Sequence, residues 1–285
     1  MIDAFNPLCL KIEKHIGESP DKLLRLWQDL YMTNYPELFI KLTTDYTDND
    51  MDWQEYGQKE VFPVFKQNFS KMQIAHTNLL NSLSIIHQRA ESLFKLSLPL
   101  EYVIYSGLLN SAGWADNYND SPAILFGVDK IAQLNWHSKT DIETLVAHEI
   151  THCIHFYLRS SHQLTADEPK NPYESGLWRL YTEGFAQYGQ SMILSEQVET
   201  RGTDWLDCCR DNFSQLKRLY RIALTDSKFS VQNFYGDWYE VLDISDAGYY
   251  LGQRLIEESV KQDSLYNIAL WPPETIRIKI EEFLA

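Results

Sequence analysis

Two histidines and a glutamate in the middle of the chain have the types and the spacing of a metal-dependent hydrolytic site. His148, Glu149 and His152 form the pattern H-E-x-x-H within the segment from Thr140 to Arg159. On an α-helix, residues four apart lie on one face, about one turn from each other. Two imidazoles placed in this way can bind one tetrahedral Zn²⁺, and the glutamate beside them can activate a water molecule.

A catalytic zinc site usually has three protein ligands and one open position. The best candidate for the third ligand is Glu183, in the sequence Y-T-E-G-F-A-Q-Y, where the adjacent Gly184 suits two helices that cross closely. His155 is a rival on the same helix face as His148, but seven residues span about 10.5 Å of helix, which is too far to share one ion comfortably. His162, in a polar segment, stays open as an alternative.

The segment around the motif is predicted to be a buried helix. Thr140 and Glu143 form a T-x-x-E capping box, which predicts that Thr140 is the N-cap. Apolar residues then recur with helical spacing at Leu145, Val146, Ile150, Cys153, Ile154 and Tyr157. The motif therefore falls in the middle of the helix, where both histidines can point to one side.

Two short segments before this helix are typical of β-strands. Residues 101–107 (EYVIYSG) and 123–129 (AILFGVD) are rich in β-branched and aromatic residues, and the Gly/Asn/Asp-rich stretch between them is predicted to be a turn or loop. We expect the two strands to pair as an antiparallel hairpin, whose edge could bind an extended peptide.

Most of the remaining chain is predicted to be helical, in segments 63–96, 175–194, 205–224 and 273–284 and in the stretch DAGYYLGQRLIEES (residues 246–259). The expected fold class is therefore α+β and predominantly helical, with a small antiparallel sheet before the motif helix. We expect one domain, with residues 1–99 as an N-terminal helical region and residues 100–285 as the core that carries the site.

The composition restricts the class of partner. The chain has 285 residues, with 25 Lys and Arg against 40 Asp and Glu, which gives a net charge of −15. This charge argues against nucleic acid or an anionic membrane surface as a partner. The four cysteines form no C-x-x-C pair, and we find neither a signal peptide nor a membrane-spanning run. We expect a reduced, soluble, cytoplasmic protein of unknown oligomeric state.

The motifs together resemble those of a known class of enzymes. A-H-E-I-T-H followed by T-E-G-F-A-Q-Y is similar to the gluzincin metallopeptidases, in which a second helix supplies a glutamate ligand. A closer resemblance is to the family of predicted zinc-dependent proteases, whose pattern adds a later G-Y-x-x-G helix, matched here from Gly248 to Gly252. The resemblance covers roughly residues 100–260 and implies a zincin-like fold.

The resemblance also implies roles for individual residues. His148, His152 and Glu183 would bind one Zn²⁺ per chain, and Glu149 would be the general base. Related peptidases place a tyrosine or histidine on a later helix to bind the oxyanion, which here points to Tyr249. Three other tyrosines stay open for that role: Tyr250, Tyr181 and Tyr188.

The function expected from these residues is zinc-dependent hydrolysis, with a peptide or protein as substrate. Two alternatives stay open. One is a protein that keeps a zinc site for peptide binding or for structure and cleaves nothing, although a closed structural site would normally have four protein ligands and no base. The other is hydrolysis of a non-peptide amide, which the motif does not distinguish from proteolysis.

Overall fold

The structure, a computed structural model, describes residues 1–159, 169–195, 201–226, 228–236 and 239–285. It divides into two compact units, Met1–Glu149 and Ile150–Ala285, and the division falls inside one continuous helix. This division lies at a different place from the boundary expected at residue 99, which stays a prediction. The expected class, α+β and mainly helical, is confirmed.

The first unit contains a four-stranded sheet and the helices around it. In chain order its elements are β1 (Ile2–Asp3), α1 (Phe5–Ile12), α2 (Pro20–Leu26), α3 (Pro36–Asp48), α4 (Trp53–Tyr56), α5 (Phe62–Phe94), β2 (Glu101–Tyr105), β3 (Gly113–Tyr118), β4 (Ser121–Gly127), α6 (Val128–Gln133) and the start of α7 (Lys139–Arg159). The sheet order is β1-β2-β4-β3, so that β3 is an edge strand.

The sheet is mixed, and the predicted antiparallel hairpin between the first two strand segments is wrong. β2 and β4 are parallel, with Val103 opposite Leu125, whereas β4 forms its hairpin with β3. The two-residue turn of that hairpin is Asn119-Asp120, and both residues have positive φ, as a type I′ turn requires. The strand β3 lies inside the stretch that was predicted to be a loop. That prediction was wrong because Gly, Asn and Asp residues, which are common in this stretch, usually disfavour a strand.

A buried carboxylate holds the connection from β2 to β3. Asp129 accepts hydrogen bonds from the backbone N–H groups of Gly107 and Leu109, each at 2.9 Å. Burial raises the pKa of Asp129, and the two N–H groups oppose that rise because they stabilise the ionised form. Leu109 has a φ of 62°, so these bonds fix a left-handed residue that leads the chain towards β3.

The helix predicted over residues 63–96 is confirmed as α5. Its inward face includes Leu79, Leu83, Ile86 and Ala90, all of which are buried. Leu80 and Leu93 are exposed, because they lie beyond the roughly 100°-wide apolar stripe that a helix buries against a core.

The second unit is built from helices and one short hairpin. After α7 its elements are α8 (Pro172–Leu194), α9 (Thr203–Asp211), α10 (Phe213–Ala223), β5 (Glu240–Val241), β6 (Ile244–Ser245), α11 (Ala247–Ser259), α12 (Leu265–Ala269) and α13 (Pro273–Leu284). The predicted helix 205–224 is two helices that meet at Asn212. The helix predicted in the stretch DAGYYLGQRLIEES is confirmed as α11.

Close backbone contact between α8 and α11 is the main packing feature of the second unit. A Cβ atom on Gly184 would lie 2.2 Å from the carbonyl oxygen of Gly252, and a Cβ on Gly252 would lie 2.7 Å from the carbonyl oxygen of Leu180. Only glycine at both positions allows the helices to approach this closely. This explains physically why glycines occur in the E-G-F-A and G-Y-x-x-G segments. Among the described residues, no helix is both long and apolar enough to cross a membrane.

Candidate metal centre

The helix α7, which carries the H-E-x-x-H pattern, begins earlier than the sequence predicted. The Ser138 hydroxyl accepts a hydrogen bond from the N–H of Asp141 at 3.2 Å, and the Asp141 carboxylate accepts one from the N–H of Ser138 at 3.3 Å. This reciprocal pair is a capping box, so Ser138 is the N-cap and the prediction of Thr140 is wrong. The helix extends to Arg159, and His148 and His152 lie in its interior.

The three predicted ligands come together. Each of His148, His152 and Glu183 offers a ligand atom, and these atoms all lie within 4.8 Å of one another. Nε2 of His152 and Oε2 of Glu183 are 3.3 Å apart. Two atoms bound to one zinc at about 2.0–2.2 Å and at a tetrahedral angle are about 3.3–3.6 Å apart. Two imidazoles and a carboxylate at this separation fit a metal such as zinc.

Glu183 reaches this group from α8, a helix with a well-defined start. Asn171 is its N-cap, since its side chain accepts hydrogen bonds from the N–H groups of Tyr173 and Glu174, and Pro172 occupies the first helical position. One turn and a half beyond Glu183, Gly189 faces Thr151 of α7, where a Cβ would lie 2.3 Å from the Thr151 methyl group. Gly189 thus allows α8 to approach the helix that carries His152.

The ligand side chains are shielded from solvent but still accessible. The side chains of His152 and Glu183 are 14 % and 17 % exposed, respectively. The side chains of His152 and Glu183 are therefore largely shielded from solvent. A low-dielectric setting strengthens the attraction between an ion and its ligands.

Glu149 does not belong to the group of three and lies instead against the edge strand. It is buried, and a Cβ on Gly113 of β3 would lie 2.9 Å from its Cγ and 3.2 Å from its Oε1. Gly113 thus provides the space that the Glu149 side chain occupies. The contact between Gly113 and Glu149 was not predicted, because Gly113 falls in the predicted loop. The apolar residues Trp114 and Ala115 after Gly113 are the signal that could have suggested a strand.

Tyr249 lies at the start of α11 in an aromatic and cationic setting. Its ring is 5.4 Å from the ring of Tyr235 in an edge-on arrangement, and the guanidinium of Arg201 lies 4.8 Å from its centre. Burial raises the pKa of Tyr249 far above its usual range, and the charge of Glu183 adds to that rise while Arg201 and Arg179 oppose it. The hydroxyl is therefore protonated at neutral pH and able to donate a hydrogen bond. Its role as oxyanion donor stays a prediction.

Two of the alternative tyrosines have other partners. Tyr181 is buried and donates its hydroxyl proton to the carbonyl oxygen of Ile268. Tyr250 is buried and packs edge-on against the rings of Trp205 and Phe213. Tyr188, on α8, is partly buried against the core of the second unit.

The two rival histidines have different outcomes. His155 is fully buried and lies between aromatic rings, stacked on Phe185 at 4.2 Å and edge-on to Tyr181 at 4.8 Å. Burial lowers the pKa of His155 well below its usual value, and the positive charges of Arg159 and His152 lower it further. His155 is not in the metal-binding group, so it is a neutral core histidine. His162 lies outside the described residues.

Comparisons with known proteins give no relative. No protein-family model, no curated protein and no solved structure matches the chain. What can be said of the function therefore depends on the residues and their geometry alone.

Proposed function

We propose that this protein is a zinc-dependent metallohydrolase that cleaves peptide bonds. The observation that carries the proposal is the convergence of His148, His152 and Glu183, with 3.3 Å between Nε2 of His152 and Oε2 of Glu183. The presence of Glu149 directly after His148, the first histidine of the motif, supports catalysis over a purely structural site, because a structural site needs no base and would normally have four protein ligands.

Each residue has a defined part in the proposed reaction. A zinc ion at this position would polarise the substrate carbonyl and lower the pKa of a nearby water molecule. Glu149 accepts a proton from the attacking water and passes it to the leaving amine. Tyr249, protonated at neutral pH, donates a hydrogen bond to the oxygen that becomes negative as the carbonyl carbon turns tetrahedral.

The edge strand β3 is the proposed binding surface for the substrate backbone. In the part of the chain that the structure describes, β3 pairs on one side with β4 and is the last strand of its sheet. An extended peptide can add to such an edge by backbone hydrogen bonds. Because Gly113 on this strand touches Glu149, a peptide bound there would pass beside the proposed base.

A cleavage assay tests the proposal. The zinc-loaded protein is incubated with a mixture of unstructured peptides, and new chain ends are identified by mass spectrometry. We expect cleavage by the wild type and none by Glu149→Gln, which keeps its zinc. Glu143→Gln, a change on the same helix away from the ligands, should cleave like the wild type. A zinc-loaded wild type that cleaves no peptide, or a Glu149→Gln variant with full activity, would refute the proposal.

A further inference from the structure

Arg179 lies one helical turn before Glu183 on α8. Residues four apart on a helix share a face, with about 5–6 Å between their Cβ atoms. The Arg179 side chain is partly buried, its guanidinium lies 4.2 Å from the centre of the Tyr235 ring, and it donates a hydrogen bond to Oε1 of Gln232 at 2.5 Å. An aromatic ring and a neutral amide thus hold the guanidinium of a residue that lies one helical turn before the ligand candidate Glu183.

The Arg179 guanidinium contacts a ring and a neutral amide rather than a carboxylate. Within the described ranges, no carboxylate lies within ion-pair distance of its guanidinium. Two other partly buried arginines of the second unit pair with an acidic side chain, Arg201 with Asp246 and Arg254 with Glu257. Arg159 instead donates to the neutral carbonyl oxygens of Ala269 and Trp271.

Acidic residues outnumber basic ones in this chain, so an arginine would be expected to have an acidic partner. The chain has 40 Asp and Glu against 25 Lys and Arg. A partly desolvated guanidinium whose partners are neutral still carries an uncompensated charge, and it is the group best suited to bind a carboxylate or phosphate. The planar guanidinium presents a pair of N–H donors that match the two oxygens of a carboxylate.

The charge of Arg179 acts on the same region as the metal-binding group. The charges of Glu183 and Arg179 both affect the pKa of Tyr249. Burial is the largest cause of its raised pKa, Glu183 raises it further, and Arg179 is among the charges that oppose the rise. An extended peptide advances about 3.3–3.6 Å per residue. A carboxylate bound one helical turn from Glu183 would therefore belong to a residue within about two positions of the bond that is cleaved.

We propose that Arg179 binds a carboxylate of the substrate, supplied either by the C-terminus of a short peptide or by an acidic side chain next to the cleaved bond. This proposal rests on the proposed peptidase function, because it assigns the substrate class of that same site. It makes the protein selective for peptides that carry a negative charge close to the cleavage point.

A binding experiment separates this proposal from the catalytic one. The zinc-loaded Glu149→Gln protein is titrated into three pools of fluorescein-labelled random hexapeptides, and binding is followed by fluorescence anisotropy. The first pool contains no Asp or Glu and ends in a free carboxylate. The second is the same pool with a C-terminal amide. The third ends in the amide and contains one Asp at each internal position in turn.

We expect the first or the third pool to bind about tenfold more tightly than the second. The peptides of the second pool have no carboxylate, so they cannot form the charge-assisted hydrogen bonds with Arg179. A preference for the first pool identifies the C-terminus as the source of the carboxylate, and a preference for the third identifies an acidic side chain. Arg179→Gln should remove the preference, and Arg179→Lys should keep part of it. Arg218→Gln, which removes an exposed arginine of α10, should leave the preference unchanged.

Equal binding of the three pools, no binding of any pool, or a preference that survives Arg179→Gln would overturn the proposal. Circular dichroism of each variant shows whether it is folded, and the lysine variant serves if the glutamine variant is not. If the preference is found but the zinc-loaded wild type cleaves none of the pools, the carboxylate site stands and the proposed hydrolysis fails.

Discussion

Nε2 of His152 lies 3.3 Å from Oε2 of Glu183, which is the separation of two ligands around one tetrahedral zinc ion. The two residues come from different helices, α7 and α8, and His148 completes the group from one turn earlier on α7. Three ligand atoms held in this way leave a fourth position for a reacting molecule. The proposed hydrolytic activity depends on this pair of ligands.

Gly113→Ala is expected to lower activity without loss of zinc. The new Cβ would lie 2.9 Å from Cγ of Glu149, so the carboxylate must move to make room. A displacement of about 1 Å in a catalytic group can reduce the rate about 100-fold. The measurement is kcat/KM together with metal content. Gly17→Ala is the control, because nothing lies within 4 Å of its Cβ, and it should match the wild type in both. An unchanged kcat/KM in Gly113→Ala would contradict the placement of Glu149.

Gly184→Ala is expected to destabilise the protein. Its Cβ would lie 2.2 Å from the carbonyl oxygen of Gly252, a backbone atom that moves only if α8 and α11 separate. Forcing extra volume into a packed site typically reduces the free energy of unfolding by about 1–3 kcal/mol. Thermal unfolding should show a Tm lower by several degrees, at roughly 2–4 °C per kcal/mol. Gly17→Ala again serves as the control, and equal Tm values for the two variants would show that the crossing is looser than described.

Much of the site could be predicted from the sequence because local spacing determines it. The H-E-x-x-H pattern and helical periodicity were enough to place His148, Glu149 and His152 on α7. The role of Glu183 was harder to predict, because its proximity to the histidines depends on how α7 and α8 pack. The adjacent Gly184 correctly suggested a close helix crossing, but the helix that it contacts is α11.

The errors arose where non-local contacts or competing local signals decide the structure. β2 and β4 are parallel because β3 lies between them in the chain and forms the hairpin with β4. The polar residues of β3 made it look like part of a loop, so the hairpin was assigned to the wrong pair of strands. The N-cap of α7 was misplaced because T-x-x-E at Thr140 and S-x-x-D at Ser138 overlap, and both patterns satisfy the capping rule. The contact of Gly113 with Glu149 joins a strand to a helix far along the chain, and no local pattern predicts it.

His155 is expected to make the stability depend on pH. Burial holds its pKa well below the ordinary value of about 6.5, so the folded state favours the neutral ring. The stabilisation is fully present above the unfolded pKa and is lost as the pH falls below it, by at most about 1.4 kcal/mol per pH unit. His155→Phe should therefore flatten the decline of the unfolding free energy below about pH 6.5.

This pH effect is best measured by urea unfolding of the chelated protein, since protonation of metal ligands would otherwise contribute. The wild type and His155→Phe are compared at a series of pH values from 7.5 to about 5. The aromatic surroundings of His155, above all Phe185 at 4.2 Å, should accept a phenyl ring in place of the imidazole. Parallel curves for the two proteins would mean that His155 does not titrate as a buried neutral group.

Metal content, measured by elemental analysis of the purified protein, tests the central claim most directly. We compare the wild type with Glu183→Ala and with Glu174→Ala, which changes a glutamate of the same helix that pairs with Arg277. Loss of a direct ligand should weaken zinc binding by more than about 100-fold. Even the loss of a residue that only hydrogen-bonds to a metal ligand typically weakens binding by about 10–100-fold. The account predicts about one zinc per chain in the wild type and in Glu174→Ala, and little in Glu183→Ala. A wild type that binds no zinc when it is offered, or a Glu183→Ala variant that retains it fully, would contradict the account.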